Sequence, residues 1–241
     1  MTEKSVLTVY CCGGLGINLG VKLRDYARKA SVVPGYATIR VAMADTSDSN
    51  MRTEDFAENE VYLIKGRDGS GGIRAENHKE IAECIADILH QHPPGDVSIV
   101  LSSLSGGTGS VIAPSLASEL LAQGKDVIVF SVASFESLNE MKNNVKSMQS
   151  YENISSKHKR PLAMYYLENN QKTNRATNDE FIYNSVLSLS ILFSGQNIEL
   201  DGSDLHNWLN YQRVTSYPTK LMYLTFTDDN VSAEKSSVVS V

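Results

Sequence analysis

The chain has 241 residues and a net charge of −6, with 41% hydrophobic and 21% charged residues. That is an ordinary globular composition, long enough for one large domain or one domain plus part of another. The acidic balance argues against nucleic acid as a primary partner, because a phosphate backbone needs a basic face. No apolar run approaches membrane-spanning length. Residues 1–4 lead straight into a strand pattern, so no signal peptide is expected. The three cysteines, two of them adjacent (Cys11 and Cys12), make no disulfide framework and point to a reducing, cytoplasmic compartment. No Cys/His spacing suggests zinc. The basic cluster Lys157-His158-Lys159-Arg160 reads as a solvated loop before a strand.

Residues 5–10 predict a buried strand. It runs into Cys12-Gly13-Gly14-Leu15-Gly16-Ile17-Asn18-Leu19-Gly20 and then a helical pattern to residue 29. Gly14-x-Gly16 starts like the dinucleotide fingerprint G-x-G-x-x-G, but Leu19 replaces the third glycine. The next strand, 37–43, ends in Ala44-Asp45-Thr46-Ser47, where a carboxylate can meet a ribose hydroxyl. A short strand at 61–64 opens into a glycine-rich loop that includes Gly69-Ser70-Gly71-Gly72. Residues 77–90 predict an amphipathic helix with Ile81, Cys84, Ile85 and Ile88 at helical spacing.

The central stretch follows. A buried strand, 97–101, leads into Ser105-Gly106-Gly107-Thr108-Gly109-Ser110, and a helix is predicted over 111–123. Strand, glycine turn and helix is the geometry of a phosphate site. Free N–H groups and the positive end of the helix dipole face the anion, and glycines let the backbone approach. A side chain at Gly107 or Gly109 is expected to occupy phosphate space. Thr108 and Ser110 add candidate hydroxyl donors. The turn has no lysine and is not a P-loop.

Six further elements complete the pattern. A strand at 126–132 closes on Phe135-Glu136-Ser137, followed by a long helix to residue 151. A strand at 162–167 ends in Glu168-Asn169-Asn170. A helix over 178–193 reads as apolar on nearly every side in its C-terminal part, and such a helix is buried all round. Asp201-Gly-Ser-Asp204 then starts a short helix. On the residues alone, this acid pair reads as an N-cap and a solvated loop carboxylate. The last predicted strand is 221–227, with a polar tail over 228–241. Alternating strands and helices, with loops at strand C-termini, predict an α/β, Rossmann-like doubly wound, mostly parallel sheet.

This set of loops resembles the tubulin/FtsZ superfamily, most of all the tubulin-like proteins of large bacteriophages, the PhuZ/TubZ type. The resemblance runs nearly the whole chain in order. Ser105–Ser110 resembles the tubulin signature, and Gly13-Gly14-x-Gly16-x-Asn18 the first nucleotide loop. Asp45-Thr46-Ser47 and Gly69-Ser70-Gly71-Gly72 stand at the second and third loops. Glu136 stands at the ribose contact, Asn169 at the sixth loop, and Asn178-Asp179 where the family reads guanine. Asp201 and Asp204 resemble the catalytic loop inserted into a neighbour's site. Asn174 and Arg175 stand where the family often stacks an aromatic on the base, and Leu138-Asn139-Glu140 where its cell-division members carry an arginine.

The resemblance implies a GTPase that binds GTP/GDP with Mg²⁺, polymerises head to tail with itself, and hydrolyses GTP at the subunit contact. It also implies a phage cytoskeletal role in the host cytoplasm, moving or positioning phage DNA or assemblies, without direct nucleic-acid or membrane binding. The expected organisation is a nucleotide-binding domain over 1–177, a central core helix over 178–194, and a catalytic loop, helix and first strand of an incomplete second domain over 195–241. Two other readings compete. One is a nicotinamide-dependent oxidoreductase with a Rossmann domain, resting on Gly14-x-Gly16 and Asp45. The other is a nucleotide-binding assembly factor that does not hydrolyse.

Overall fold

A computed structural model of the chain describes residues 4–30, 35–51, 56–57, 59–65, 69–196 and 200–226. The expected tail over 228–241 and the end of the last strand at Thr227 lie outside them.

Seven strands form one sheet: β1 (Val6–Cys12), β2 (Thr38–Asp45), β3 (Val61–Leu63), β4 (Val97–Ser103), β5 (Asp126–Ala133), β6 (Leu162–Glu168) and β7 (Leu221–Tyr223). Their order is β3-β2-β1-β4-β5-β6-β7, and every pair is parallel. A parallel sheet covered on both faces needs strands apolar on both sides. β5 meets that need, being buried at every residue. Tyr10 and Cys12 of β1 face one core cluster, while Leu7, Val9 and Cys11 face the other.

The first layer is α2 (His78–Gln91), α3 (Gly109–Ala122) and α4 (Leu138–His158). The second holds α1 (Gly13–Ala30), α5 (Arg175–Leu192) and α6 (Gly202–Leu209).

Two expectations differ from the structure. The strand at 221–223 does not begin a second sheet. It pairs with Leu162–Met164 at the edge of the main one, where β6 would otherwise present unpaired N–H and C=O groups. The central helix, α5, buries one face rather than its whole circumference. Ile182, Val186 and Leu189 pack on the sheet, whereas Phe181 and Ile191 are 47% and 49% exposed. Among the described residues no element covers that outer side.

Candidate functional site

The order of the strands sets where a ligand fits. Chain order reverses between β1 and β4, so the loops leaving these neighbouring strands diverge to opposite faces and leave a crevice at the strand C-termini. α1 starts at Gly13 and α3 at Gly109, so two helix N-termini open on that crevice. Each brings unsatisfied N–H groups and a positive dipole end. Gly13 takes φ +71°, and a Cβ there would lie 2.8 Å from the Gly109 nitrogen. The first loop and the central loop therefore touch backbone to backbone.

The cleft has two confluent halves sharing Gly14, Leu15, Asn50, Ser103 and Gly106. The first, of about 600 Å³, is lined by Gly13, Asp45, Ser47, Gly69, Ser70, Gly107, Thr108 and Gly109, among others. It is rich in backbone and hydroxyls, as an oligophosphate requires. The second, of about 500 Å³, adds Asn18, Gly71, Gly72, Ser105, Ser134, Ser137, Asn139, Glu140, Asn169 and Arg175.

A chain of polar contacts ties the loops together. Thr46 and Thr108 share a hydroxyl–hydroxyl bond of 2.8 Å, and Thr108 donates to Ser70 Oγ at 3.3 Å. Asp45 accepts from the Thr46 N–H and from Asn50 Nδ2, at 2.8 and 3.2 Å. Burial raises the Asp45 carboxyl above its ordinary value, and these bonds oppose the shift. It is the one carboxylate among the described residues lining the phosphate half.

Several expected site residues are not on the cleft wall. Gly16 is a packing position, since a Cβ there would lie 2.4 Å from the Cys11 carbonyl carbon. Ser110 turns its hydroxyl back to the carbonyls of Gly106 and Gly107, so it closes the turn and does not face a ligand. Thr46 is buried and acts through Thr108. Glu136 is exposed. The capping box of α4 uses Ser137 and Glu140, and Glu140 accepts from the N–H groups of Glu136 and Ser137.

Asn178 is buried and donates to the Asn169 side chain and to the Glu168 carbonyl, both at 2.8 Å. Asp179 stands one turn beyond Arg175 on α5. It is 8% exposed, and its Oδ1 is buried with no hydrogen-bond partner. A buried acceptor left unmatched is costly. Neither Asn178 nor Asp179 is among the residues lining the two halves of the cleft. Burial pushes its carboxyl up, against the pull of Arg175 and Lys22.

Four asparagines that sequence reasoning missed hold the loops. Asn50 grips Asp45. Asn77 donates to Thr46 Oγ1 and the Gly69 carbonyl, at 3.4 and 3.2 Å. Asn143 of α4 donates to the carbonyls of Gly72 and Ser105, at 2.8 and 2.9 Å, so one amide joins the third loop to the central one. Asn139 donates to the same Gly72 carbonyl. The spacing Asn139, Asn143, Ser147 is a polar stripe at helical period, and it was the available signal.

Asp201 and Asp204 lie at the other end of the molecule. α5 runs away from the cleft, and α6 packs under the first residue of β5, where His206 meets Asp126. Asp201 caps α6, accepting from the N–H groups of Ser203 and Asp204, and Asp204 accepts from the Asp201 N–H at 3.1 Å. Both are exposed.

A doubly wound parallel sheet with a glycine-lined cleft at its switch point defines a nucleotide-binding α/β protein. Residues 6–177 match the GTPase domain of the Tubulin/FtsZ family, and the chain belongs to that family. It is 30% identical over 206 residues to a phage tubulin-like protein of Pseudomonas phage PhiPA3, covering 85% of this chain and 61% of that one. A phage tubulin-like protein of Pseudomonas phage phiKZ is 28% identical over 245 residues, covering 97% and 72%. The subunit in a protofilament of TubZ from bacteriophage PhiKZ superposes with a TM-score of 0.84 at 28% identity, over 95% of this chain and 70% of that one. The family match leaves the nicotinamide reading without support. No helix among the described residues is long and apolar enough to cross a membrane.

Proposed function

We propose that this chain binds GTP in the cleft at the β1/β4 switch point and polymerises head to tail with copies of itself. Hydrolysis then takes place where one subunit's Asp201 and Asp204 meet the next subunit's nucleotide. The observation that carries the proposal is the separation within one chain. The phosphate cradle lies at the C-terminal ends of the strands, and the acid pair lies beyond the far end of an 18-residue helix. Such a helix is about 27 Å long at 1.5 Å per residue. The acids cannot reach their own cleft, and a contact that joins unlike ends repeats into a filament.

In this reading the backbone N–H groups of the two glycine turns hold the phosphates, with Thr108 and Ser70 as hydroxyl donors. Mg²⁺ facing Asp45 would neutralise charge on the outer phosphates. Asp204, with Asp201 beside it, orients and polarises the attacking water. Arg175 offers a guanidinium plane for the base in place of the family's aromatic. A filament of this kind in a host cytoplasm would position or move phage DNA or assemblies.

The test is specific activity against protein concentration, with light scattering after GTP and Mg²⁺ are added. Phosphate release per subunit should rise with concentration, and scattering should rise with it. A monomeric protein with constant specific activity would sink the split-site reading. GTP binding with scattering but no phosphate release would favour the non-hydrolysing assembly factor.

Guanine selectivity rests on Asp179 and its unmatched oxygen. Asp179→Ala is expected to remove the preference for GTP over ATP, worth roughly 1–3 kcal/mol per unpaired group. Competition binding measures it, and equal affinity for the two nucleotides in the parent refutes the assignment.

The raised carboxyl of Asp179 gives this site a pH signature. Guanine N1–H and the 2-amino group need the ionised form as acceptor. Guanine affinity should therefore fall as pH drops through the raised value, above the range where an exposed aspartate protonates. In the free protein the sign is opposite. A carboxyl raised on folding adds stability below its unfolded value and loses it as pH rises through the folded one. Titrating GDP affinity in the parent and in Asp179→Ala separates the two, because the variant should lack the acid limb.

A further inference from the structure

α6 has eight residues, too few to be stable alone in water. Its orientation must come from what it packs on. Leu205 and Leu209 are buried beneath it, at 3% and 4% exposure. The rest of its seat is polar and centres on Asp126, the first residue of β5, which is 7% exposed. Arg160 Nη2 donates to Asp126 Oδ1 at 3.1 Å. Asn210 Nδ2 donates to the same oxygen, and His206 Nδ1 sits on Oδ2. Arg160 Nε also donates to Asn210 Oδ1 at 3.1 Å, which closes the ring. His206 and Asn210 are four apart, so the face they share, one on α6 and one at its C-cap, is clamped to the sheet. A carboxylate this buried is tolerable only while its donors remain in place, which gives α6 a single seat. At the other end of the same short helix stand Asp201 and Asp204.

We propose that Asp126 is a positioning residue for GTP hydrolysis: through His206 and Asn210 it fixes α6 so that Asp201 and Asp204 are presented to the cleft of the neighbouring subunit. This rests on the split-site reading above. It assigns to the end of the sheet farthest from the nucleotide a role in the chemistry of the next molecule, not of its own.

The test uses a mixture in which each subunit has one task. A Gly106→Leu chain has a blocked cleft and intact acids, and an Asp204→Ala chain has an intact cleft and no working acid. Turnover in the mixture comes from the acids of the first acting on GTP held by the second. Adding Asp126→Asn to the acid-supplying chain is expected to lower that turnover about ten- to hundredfold, the usual effect of a small misplacement. Adding it to the cleft-supplying chain should leave turnover and GTP affinity as they were.

His206→Gln should give the same asymmetry. It removes only the helix side of the clamp, from a side chain 38% exposed, and so keeps the test valid if Asp126→Asn weakens the fold. Equal losses in both arms would mean a purely structural role and would overturn the proposal, as would no loss in the acid-supplying arm. A mixture silent before Asp126 or His206 is touched, from chains that assemble, overturns the split-site reading and this proposal with it.

Discussion

A Gly106→Leu chain is expected to lose nucleotide binding by at least about a hundredfold, or ~2.7 kcal/mol, while melting at the parent's temperature. Gly106 lines both halves of the cleft. A Cβ built there meets nothing nearer than Ser103 Cβ at 3.9 Å, so a side chain enters open space in the cleft and not packed protein. Gly107 and Gly109 are poorer probes than the sequence implies. A Cβ on Gly107 would fall 1.8 Å from Ser70 Oγ, and one on Gly109 would fall 2.5 Å from the Cys12 carbonyl oxygen. Valine at either position displaces the wall before it reaches a phosphate, and at Gly109 the obstacle is backbone. Equilibrium binding and thermal melting of the three variants distinguish these cases. Full binding by Gly106→Leu would place the phosphates elsewhere.

The second large effect is expected for Asp204→Ala, with GTP turnover reduced about 10²–10⁴-fold, the range for loss of a group that handles a proton or a water. GTP affinity should be unchanged, because the residue lies at the end of the molecule opposite its own cleft. Assembly should persist and outlast the parent's, since the contact is no longer weakened by hydrolysis. A stability cost accompanies the change. Asp204 accepts from the Asp201 N–H, one half of the capping box of α6. Losing it costs about 0.5–1 kcal/mol. Asp201→Ala removes the N-cap itself and should cost more stability and less turnover. Asp201→Asn keeps a good cap and isolates the charge. Single-turnover phosphate release with scattering reads all three. Parent-like turnover in Asp204→Ala would leave the acids as a helix cap only.

The strands were legible because burial on both faces writes itself as runs that are mostly apolar, as in Ile99-Val-Leu and Val127-Ile-Val-Phe. The three glycine loops were legible because each follows such a run. What could not be read arises from contacts between distant segments. Asn50, Asn77 and Asn143 look like ordinary polar residues until the fold brings a second loop within reach of each amide. Ser110 was misjudged for the same reason, since its hydroxyl has a nearer acceptor in its own turn. The strand at 221–223 carries no mark of which sheet it will join. The apolar pattern of α5 overstated its burial, because composition reports which side chains are apolar and not how many neighbours arrive to cover them.

The backbone contact between Gly13 and Gly109 also bears on how the molecule folds. These turns lie far apart in the chain and meet only because β1 and β4 pair in register, Cys12 beside Ser102. A parallel pairing across that separation closes a long loop and forms slowly. The cradle is therefore a product of the finished sheet and not of either turn. A segment carrying one glycine turn has half the N–H groups and none of the enclosure. Phosphate capture thus depends on a non-local pairing, and nucleotide bound in the cradle would report that the β1–β4 seam has closed.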